Sequence, residues 1–194
     1  MRQSSVDDLL KLCDRFGVEL DFGKAVDVGG APSVYMSAPC PNPLLELHSN
    51  VTFLDNTQET AHQVMDFLDY QAIVPHLWTY DRVFSFDTLE HCANPFLFAD
   101  HLIAVTKPGG YIYVATVFNW HYHPNPEDYW RFSPAGLREC FTSEWVVRAG
   151  EFDVMWSDWG SHEHSMGVCL FGQKKSTEEI NDVTTGATKE EETP

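Results

Sequence analysis

The chain is expected to fold as an α/β domain, with strands and helices alternating around a largely parallel sheet. Three observations carry this. Residues 80–117 read as strand, helix, strand: two runs rich in β-branched and aromatic residues, 82–86 and 111–117, flank a helical run at 95–106. A Lys-Pro-Gly-Gly turn at 107–110 separates that helix from the second strand, because Pro cannot continue a helix and Gly accepts the positive φ at its end. A third apolar run, 24–28, ends in Gly29-Gly30, as a strand entering a tight turn does. Ligands of open α/β sheets sit beyond the carboxyl ends of the strands, so chemistry is expected at Ser85-Phe86-Asp87 and at 116–119.

The other elements follow in order. Ser5-Val6-Asp7-Asp8 reads as a helix start with Ser5 as N-cap, and Val6, Leu9, Leu10, Cys13 and Phe16 recur at helical spacing before Gly17. This gives an N-terminal lid or packing helix over 1–19. Residues 39–43 are Pro-rich and read as loop; 44–48 make one or two helical turns. The run 51–55 is a strand ending in Asp55. Residues 58–70 are ambiguous: a short helix, then a strand near 64–68, with Asp66 and Asp69 at its end. Residues 74–78 read as loop. After the fifth strand comes a polar and aromatic loop, 118–132. Ser133-Pro134 then opens a helix, Ser133 as N-cap and Pro134 at its first position. Two closing strands lie at 145–156 and 166–174. From 176 to 194 bulky apolar residues are lost, and an acidic disordered tail is expected.

Composition narrows the function. The chain has 194 residues, 43% of them hydrophobic, and a net charge of −17. One folded domain over 20–175 is expected. The acidic balance excludes duplex nucleic acid as a main partner, since phosphate binding wants a basic face. Five cysteines without a CxxC pair argue against a disulfide framework and a structural zinc site. No apolar run is long enough to span a membrane, and the N-terminus lacks a signal-peptide core, so no membrane association and a cytoplasmic location are expected. The oligomeric state is left open, a homodimer included.

Four segments resemble the class I S-adenosylmethionine-dependent methyltransferases: VDVGG at 26–30, FLD at 53–55, FDTLEHCANP at 86–95 with KPGG at 107–110, and HPNPEDYWRFSPAGL at 123–137. The resemblance covers about residues 20–175. It implies a Rossmann-like seven-stranded, mostly parallel sheet with helices on both faces and the last strand antiparallel. It also implies an S-adenosylmethionine site across the first four strand ends. In that family the glycine turn after the first strand lies against the methionine part, here Asp27, Gly29 and Gly30. The acid closing the second strand holds the ribose, here Asp55. A polar residue after the third strand meets the adenine, with Asp66 and Asp69 both open. Ser85, Phe86 and Asp87 line the cofactor. One departure stands out: where the family writes a Gly-x-Gly-x-Gly-like loop, this chain has Gly29-Gly30-Ala31-Pro32-Ser33, and Pro32 removes one N–H donor.

Methyl transfer to a hydroxyl or amine benefits from a base near neutral pKa. His121 and His123 follow the fifth strand and are the candidates, with Asp128 to orient one of them. Tyr122, Tyr129, Trp130 and Arg131 are candidate walls of the acceptor pocket; the competing reading is that they pack the loop onto the sheet. Glu90 and His91 read as structural, bonding backbone groups ahead of the helix. Two His-x-His pairs, His121/His123 and His162/His164, invite a metal reading, but nothing in the sequence joins them and no metal is assigned.

The expected function is therefore S-adenosylmethionine-dependent methylation of a small molecule at oxygen or nitrogen. Two alternatives remain. One is a non-methylating use of the cofactor on the same fold: cyclisation, elimination or group transfer. The other is a non-catalytic binding subunit with a decayed loop.

Overall fold

Side chains alternate between two apolar layers along each central strand, and this sets the architecture. The computed structural model describes residues 3–21, 23–32, 34–35, 38–39, 42–48, 50–56, 61–124, 127–141, 149–156 and 166–178. Helix α1 (Gln3–Phe16) comes first, then strand β1 (Ala25–Val28), a small antiparallel pair β2 (Val34–Tyr35) and β3 (Ala38–Pro39), one helical turn α2 (Leu44–Leu47), and strands β4 (Val51–Asp55) and β5 (Gln63–Val64). Helix α3 (Tyr70–Ile73) leads through a 3-10 turn at Val74–His76 to β6 (Tyr80–Phe86). A second 3-10 turn (Leu89–His91), α4 (Pro95–Val105), β7 (Thr106–Val117), α5 (Pro134–Cys140), β8 (Ala149–Trp156) and β9 (Gly167–Lys174) complete the order.

Seven strands form one sheet in the order β5-β4-β1-β6-β7-β9-β8. The pairs β1–β4, β1–β6, β4–β5 and β6–β7 are parallel, while β9 runs antiparallel to both β7 and β8. The last strand of the chain is thus the antiparallel one, slotted between β7 and β8, as the resemblance implies. On one face Val26, Val28, Val83, Ile112 and Val114 pack against α4 and α5 through Phe98, Leu102 and Leu137. On the other, Ala25, Phe53, Phe84 and Tyr113 pack against Leu9, Leu12 and Cys13 of α1. Both faces are covered by helices, which is what parallel strands with near-continuous apolar runs require.

Three local expectations are corrected. Ser5 is not an N-cap: α1 begins at Gln3, and Ser5 is buried, its carbonyl accepting the Tyr113 hydroxyl at 2.7 Å. A tertiary contact thereby overrides a capping preference. The third strand is only Gln63–Val64, because Asp66 and Asp69 turn the chain: Asp66 accepts the Leu68 amide and Asp69 caps α3. The 107–110 segment belongs to β7, as a bulge where the register jumps from Tyr80↔Thr106 to Arg82↔Tyr111, with Gly109 at φ 77°. Smaller differences are Pro39, which pairs in β3, and the 3-10 turn within 74–78. Asn94 caps α4 and Ser133 caps α5, each with Pro next; the Ser133 cap is the one expected from the sequence. Lys174 closes the far end of α4, its Nζ donating to the Ile103 and Thr106 carbonyls at 2.7 and 2.8 Å. The expected tail beyond residue 178, His162, His164 and Ser33 lie outside the described residues.

Because β4, β1, β6 and β7 are parallel, Asp55, Gly29, Asp87 and the loop from Phe118 leave the sheet along one edge. Among the described residues no helix is long and apolar enough to cross a membrane.

Candidate functional site

The centre of that edge is Asp27, 1% exposed although it is a carboxylate. Its Oδ2 accepts from the Asn42 amide at 3.2 Å, while Oδ1 has no hydrogen-bond partner among the described residues. Asn42 is held in turn by its own Oδ1, which accepts the Leu44 amide at the start of α2. Burial pushes the Asp27 carboxyl up to about 7, and the nearby charges of Asp55 and Asp87 add to the rise. A buried acceptor with one unpartnered oxygen near a strand end suits a cationic or N–H-bearing ligand group.

The two glycines are demanded by their neighbours. Gly29 sits at φ 87°, and a Cβ there would enter the Thr88 side chain. A Cβ on Gly30 would enter the Asp27 carboxylate. Thr88 is fixed by donating its hydroxyl to the Phe86 carbonyl at 3.0 Å. Neither position has room for a side chain, and this turn, the cradle, keeps its backbone close to the buried acid.

The remaining cofactor candidates divide. Asp55 is half-buried at the tip of β4. Asp87 follows β6 at φ 50°, a left-handed conformation that costs a non-glycine residue of order 1–3 kcal/mol and tends to be retained at working sites. Ser85 instead bridges strands, its hydroxyl donating to the Val28 carbonyl at 3.0 Å, and Phe86 is a core residue tilted against Tyr113. Asp66 and Asp69 are both exposed, and their recorded bonds are local turn and cap contacts.

Across from the cradle, the 118–132 loop is laced to the 3-10 turn after β6. The Tyr129 and Trp130 amides donate to the Glu90 carbonyl at 2.8 and 3.2 Å, and the Trp130 indole donates to the Cys92 carbonyl at 2.9 Å. Arg131 is the hub. It donates to both oxygens of Asp128 and to the carbonyls of Trp120, His121 and Trp130. That guanidinium holds the Asp128 carboxyl well below the usual carboxylate range. Asp128 Oδ2 in turn accepts the His123 amide at 2.8 Å and lies 3.1 Å from His123 Nδ1. Asp128 thus orients His123. The His121 ring lies 4.5 Å from that of Trp120, and His121 serves the loop through its carbonyl.

Tyr122, Tyr129 and Trp130 are 67%, 52% and 41% exposed, Trp130 while its indole bonds to Cys92. Arg131→Ala is expected to free the loop: limited chymotrypsin digestion should cut at Tyr122 or Tyr129 at least about 10-fold faster than in the parent, since five donor contacts vanish together.

Sequence reasoning missed Asn42 and Thr88, and the side-chain part played by Glu90 and His91. Asn42 lies in the Pro-rich 39–43 stretch read as loop, with nothing to link it with Asp27. Thr88 carried no signal. Glu90 and His91 were read as structural, and Glu90 does bind the loop through its backbone. Its side chain does more: Oε2 accepts from Thr116 at 2.7 Å, and Oε1 faces both His91 and His123.

No family model and no curated protein matches the chain. Solved structures do. A SAM-dependent methyltransferase from Archaeoglobus fulgidus superposes with a TM-score of 0.59 at 13% identity, over 86% of this chain and 94% of that one. The CurJ carbon methyltransferase gives 0.59 at 11% identity, over 89% of this chain, which spans 54% of that longer one. The [4+2]-cyclase SpnF gives 0.54 at 15% identity, over 86% and 80%. The sheet order, the antiparallel final strand and these superpositions together show that the chain has the fold of the class I S-adenosylmethionine-dependent methyltransferases.

Proposed function

We propose that the chain is an S-adenosylmethionine-dependent methyltransferase acting on an oxygen or nitrogen of a small molecule. One observation supports it above the others. The five residues Asp87–His91 serve two sites at once: Thr88 packs against Gly29 in the cradle, while Glu90 and His91 face His123. A cofactor cleft and a group of proton-accepting side chains are therefore neighbours.

The residues fit the cofactor. Asp27 offers a buried acceptor to the ammonium of its amino-acid part, Gly29 and Gly30 admit its backbone-hugging approach, and Asp55 offers two oxygens to the ribose hydroxyls. When bound it would supply a methyl group on a sulfonium, activated for in-line displacement. The chain's part is position and proton transfer. His123, oriented by Asp128, accepts the proton of the attacking hydroxyl or amine. The acidic surface favours a neutral or cationic acceptor in the cytoplasm over nucleic acid.

Calorimetry with S-adenosylmethionine and S-adenosylhomocysteine tests the reading. Micromolar binding is expected, weakened at least about 10-fold by Asp55→Ala, as loss of a charge-assisted hydrogen bond predicts. No binding below millimolar would leave only a non-catalytic subunit. Cofactor labelled in its methyl group and, separately, in its amino-acid chain, given with hydroxyl and amine acceptors, then separates methylation from a non-methylating use. The fold shared with a cyclase favours that second use, as does the Ala31-Pro32 that replaces further glycine in the loop. Label appearing in a fragment other than methyl would establish it.

A further inference from the structure

Glu90, His91 and His123 aim three electron-pair donors at one point. Glu90 Oε1 lies 3.9 Å from His123 Nε2 and 4.0 Å from His91 Nε2, and the three atoms lie within 4.8 Å of one another. Glu90 is fully buried, and the two imidazoles are partly so.

The tautomers follow from the partners, because a carbonyl oxygen can only accept. His91 Nδ1 faces the Glu127 carbonyl, so it carries the proton. His123 Nδ1 faces the His121 carbonyl at 3.0 Å and the Asp128 carboxylate at 3.1 Å, so it does too. Both Nε2 atoms therefore present lone pairs to a carboxylate oxygen. Thr116 holds the other oxygen of Glu90 at 2.7 Å and fixes the carboxylate's orientation.

Three acceptors facing one another repel unless positive charge lies between them. A proton on either Nε2 would make an ion pair with Glu90 but no hydrogen bond, since 3.9 and 4.0 Å exceed hydrogen-bond length. A metal ion would draw the three together: tetrahedral ligands each about 2.1 Å from a common ion stand about 3.4 Å apart, so the three atoms need only close in by about 0.5–1 Å to share one. Every ligand also has the outer partner that orients metal-bound side chains: a carbonyl on His91, a carboxylate and a carbonyl on His123, a hydroxyl on Glu90.

We propose that Glu90 Oε1, His91 Nε2 and His123 Nε2 bind one divalent transition-metal ion. Two imidazoles and a carboxylate suit Zn²⁺ and its first-row neighbours better than Mg²⁺ or Ca²⁺, which want oxygen ligands. Three protein ligands leave a position open for an acceptor heteroatom or water, whose proton an ion there makes easier to lose. His123 then acts as ligand in place of base. The ion's role beside the acceptor rests on the methyl-transfer reading; its binding does not. Of the first His-x-His pair, only His123 takes part.

The test uses the full chain, stripped with a chelator and titrated with Zn²⁺ by calorimetry and with Co²⁺ by visible absorption. One ion per chain is expected, with intense d–d bands from the low-coordinate Co²⁺ site. His91→Ala and His123→Ala should each weaken Zn²⁺ at least about 100-fold, and Asp128→Asn, a positioning change, about 10-fold. The double variant His162→Ala/His164→Ala should leave affinity unchanged. Glu90→Gln should act like the histidine variants; because Glu90 is buried, the histidine pair carries the test if that protein fails to fold. Binding no tighter than about 0.1 mM for both ions, or tight binding that survives both histidine changes, overturns the site. S-adenosylhomocysteine affinity, measured in parallel, separates the two proposals. A chain that takes the nucleoside but no ion loses the metal site. One that takes the ion but no nucleoside keeps the site and loses the methyl-transfer reading.

Discussion

Gly30→Val should abolish S-adenosylmethionine binding, lowering affinity by more than about 100-fold. Even a single Cβ at this position meets the Asp27 carboxylate, which is buried, bonded to Asn42 and unable to swing into solvent. Relief requires either the loop or the acid to move. Both are parts of the proposed cradle, so either route spoils it. Gly29→Val should behave alike for a different reason: φ 87° is hostile to a β-branched residue, and Thr88 stands where the side chain must go. Strain of this kind is of order 1–3 kcal/mol, so the unfolding midpoint of Gly29→Val should fall as well. Calorimetry on folded variants, checked by circular dichroism, reads the outcome. Parent-like affinity in Gly30→Val would move the nucleoside away from this turn.

Asp27→Asn should separate stability from binding, raising the first and lowering the second. The carboxyl titrates at about 7 in the folded chain because burial disfavours its charged form, against 3.8 for an ordinary aspartate. Between those values the folded state holds a proton that the unfolded state has lost. Stability therefore falls as pH rises from about 4 to about 7, and is flat above, where the group is ionised in both states. Asparagine carries no such penalty. Its melting temperature should exceed the parent's at pH 8, match it more closely at pH 5, and vary less between the two. The same change removes the anion proposed to meet the cofactor's ammonium, so affinity at pH 8 should drop at least about 10-fold. In the parent, affinity should climb from pH 6 to pH 8 as Asp27 ionises, with proton release on binding at pH 6 visible as buffer-dependent heat. A parent affinity independent of pH across that range would show that Asp27 does not hold the ligand. Opposite movements of stability and binding are expected of a residue kept for function at a cost to the fold.

How much of this was legible beforehand varies by element. The strand–helix–strand unit over 80–117 was plain, because its signals are local: β-branched and aromatic runs for the strands and a Lys-Pro-Gly-Gly stop after the helical run; Ser133-Pro134 marks the start of the next helix in the same way. The β5 region was not, since a two-residue edge strand has no period to read, and Asp66 and Asp69 spend their carboxylates on turns. Lys-Pro-Gly-Gly reads as a stop for α4, which it is; that it continues as a bulged strand depends on pairing with β6.

The site divides the same way. Asp27, Gly29 and Gly30 are contiguous, so their adjacency could be read from the letters, along with the acid at the tip of β4. The buried state of Asp27 could not, because it depends on contacts such as that of Asn42, which lies 15 residues further along the chain. Glu90-His91 and His123 lie a whole helix and strand apart in the chain. They meet because β6 and β7 are parallel neighbours, and because the Glu90 carbonyl takes the Tyr129 and Trp130 amides and so draws the loop across. Local patterning and composition dictated the layers, the strand types and the acidic surface. Long-range hydrogen bonding chose which titratable groups face one another, since that choice turns on distances of a few ångströms that no spacing along the chain encodes.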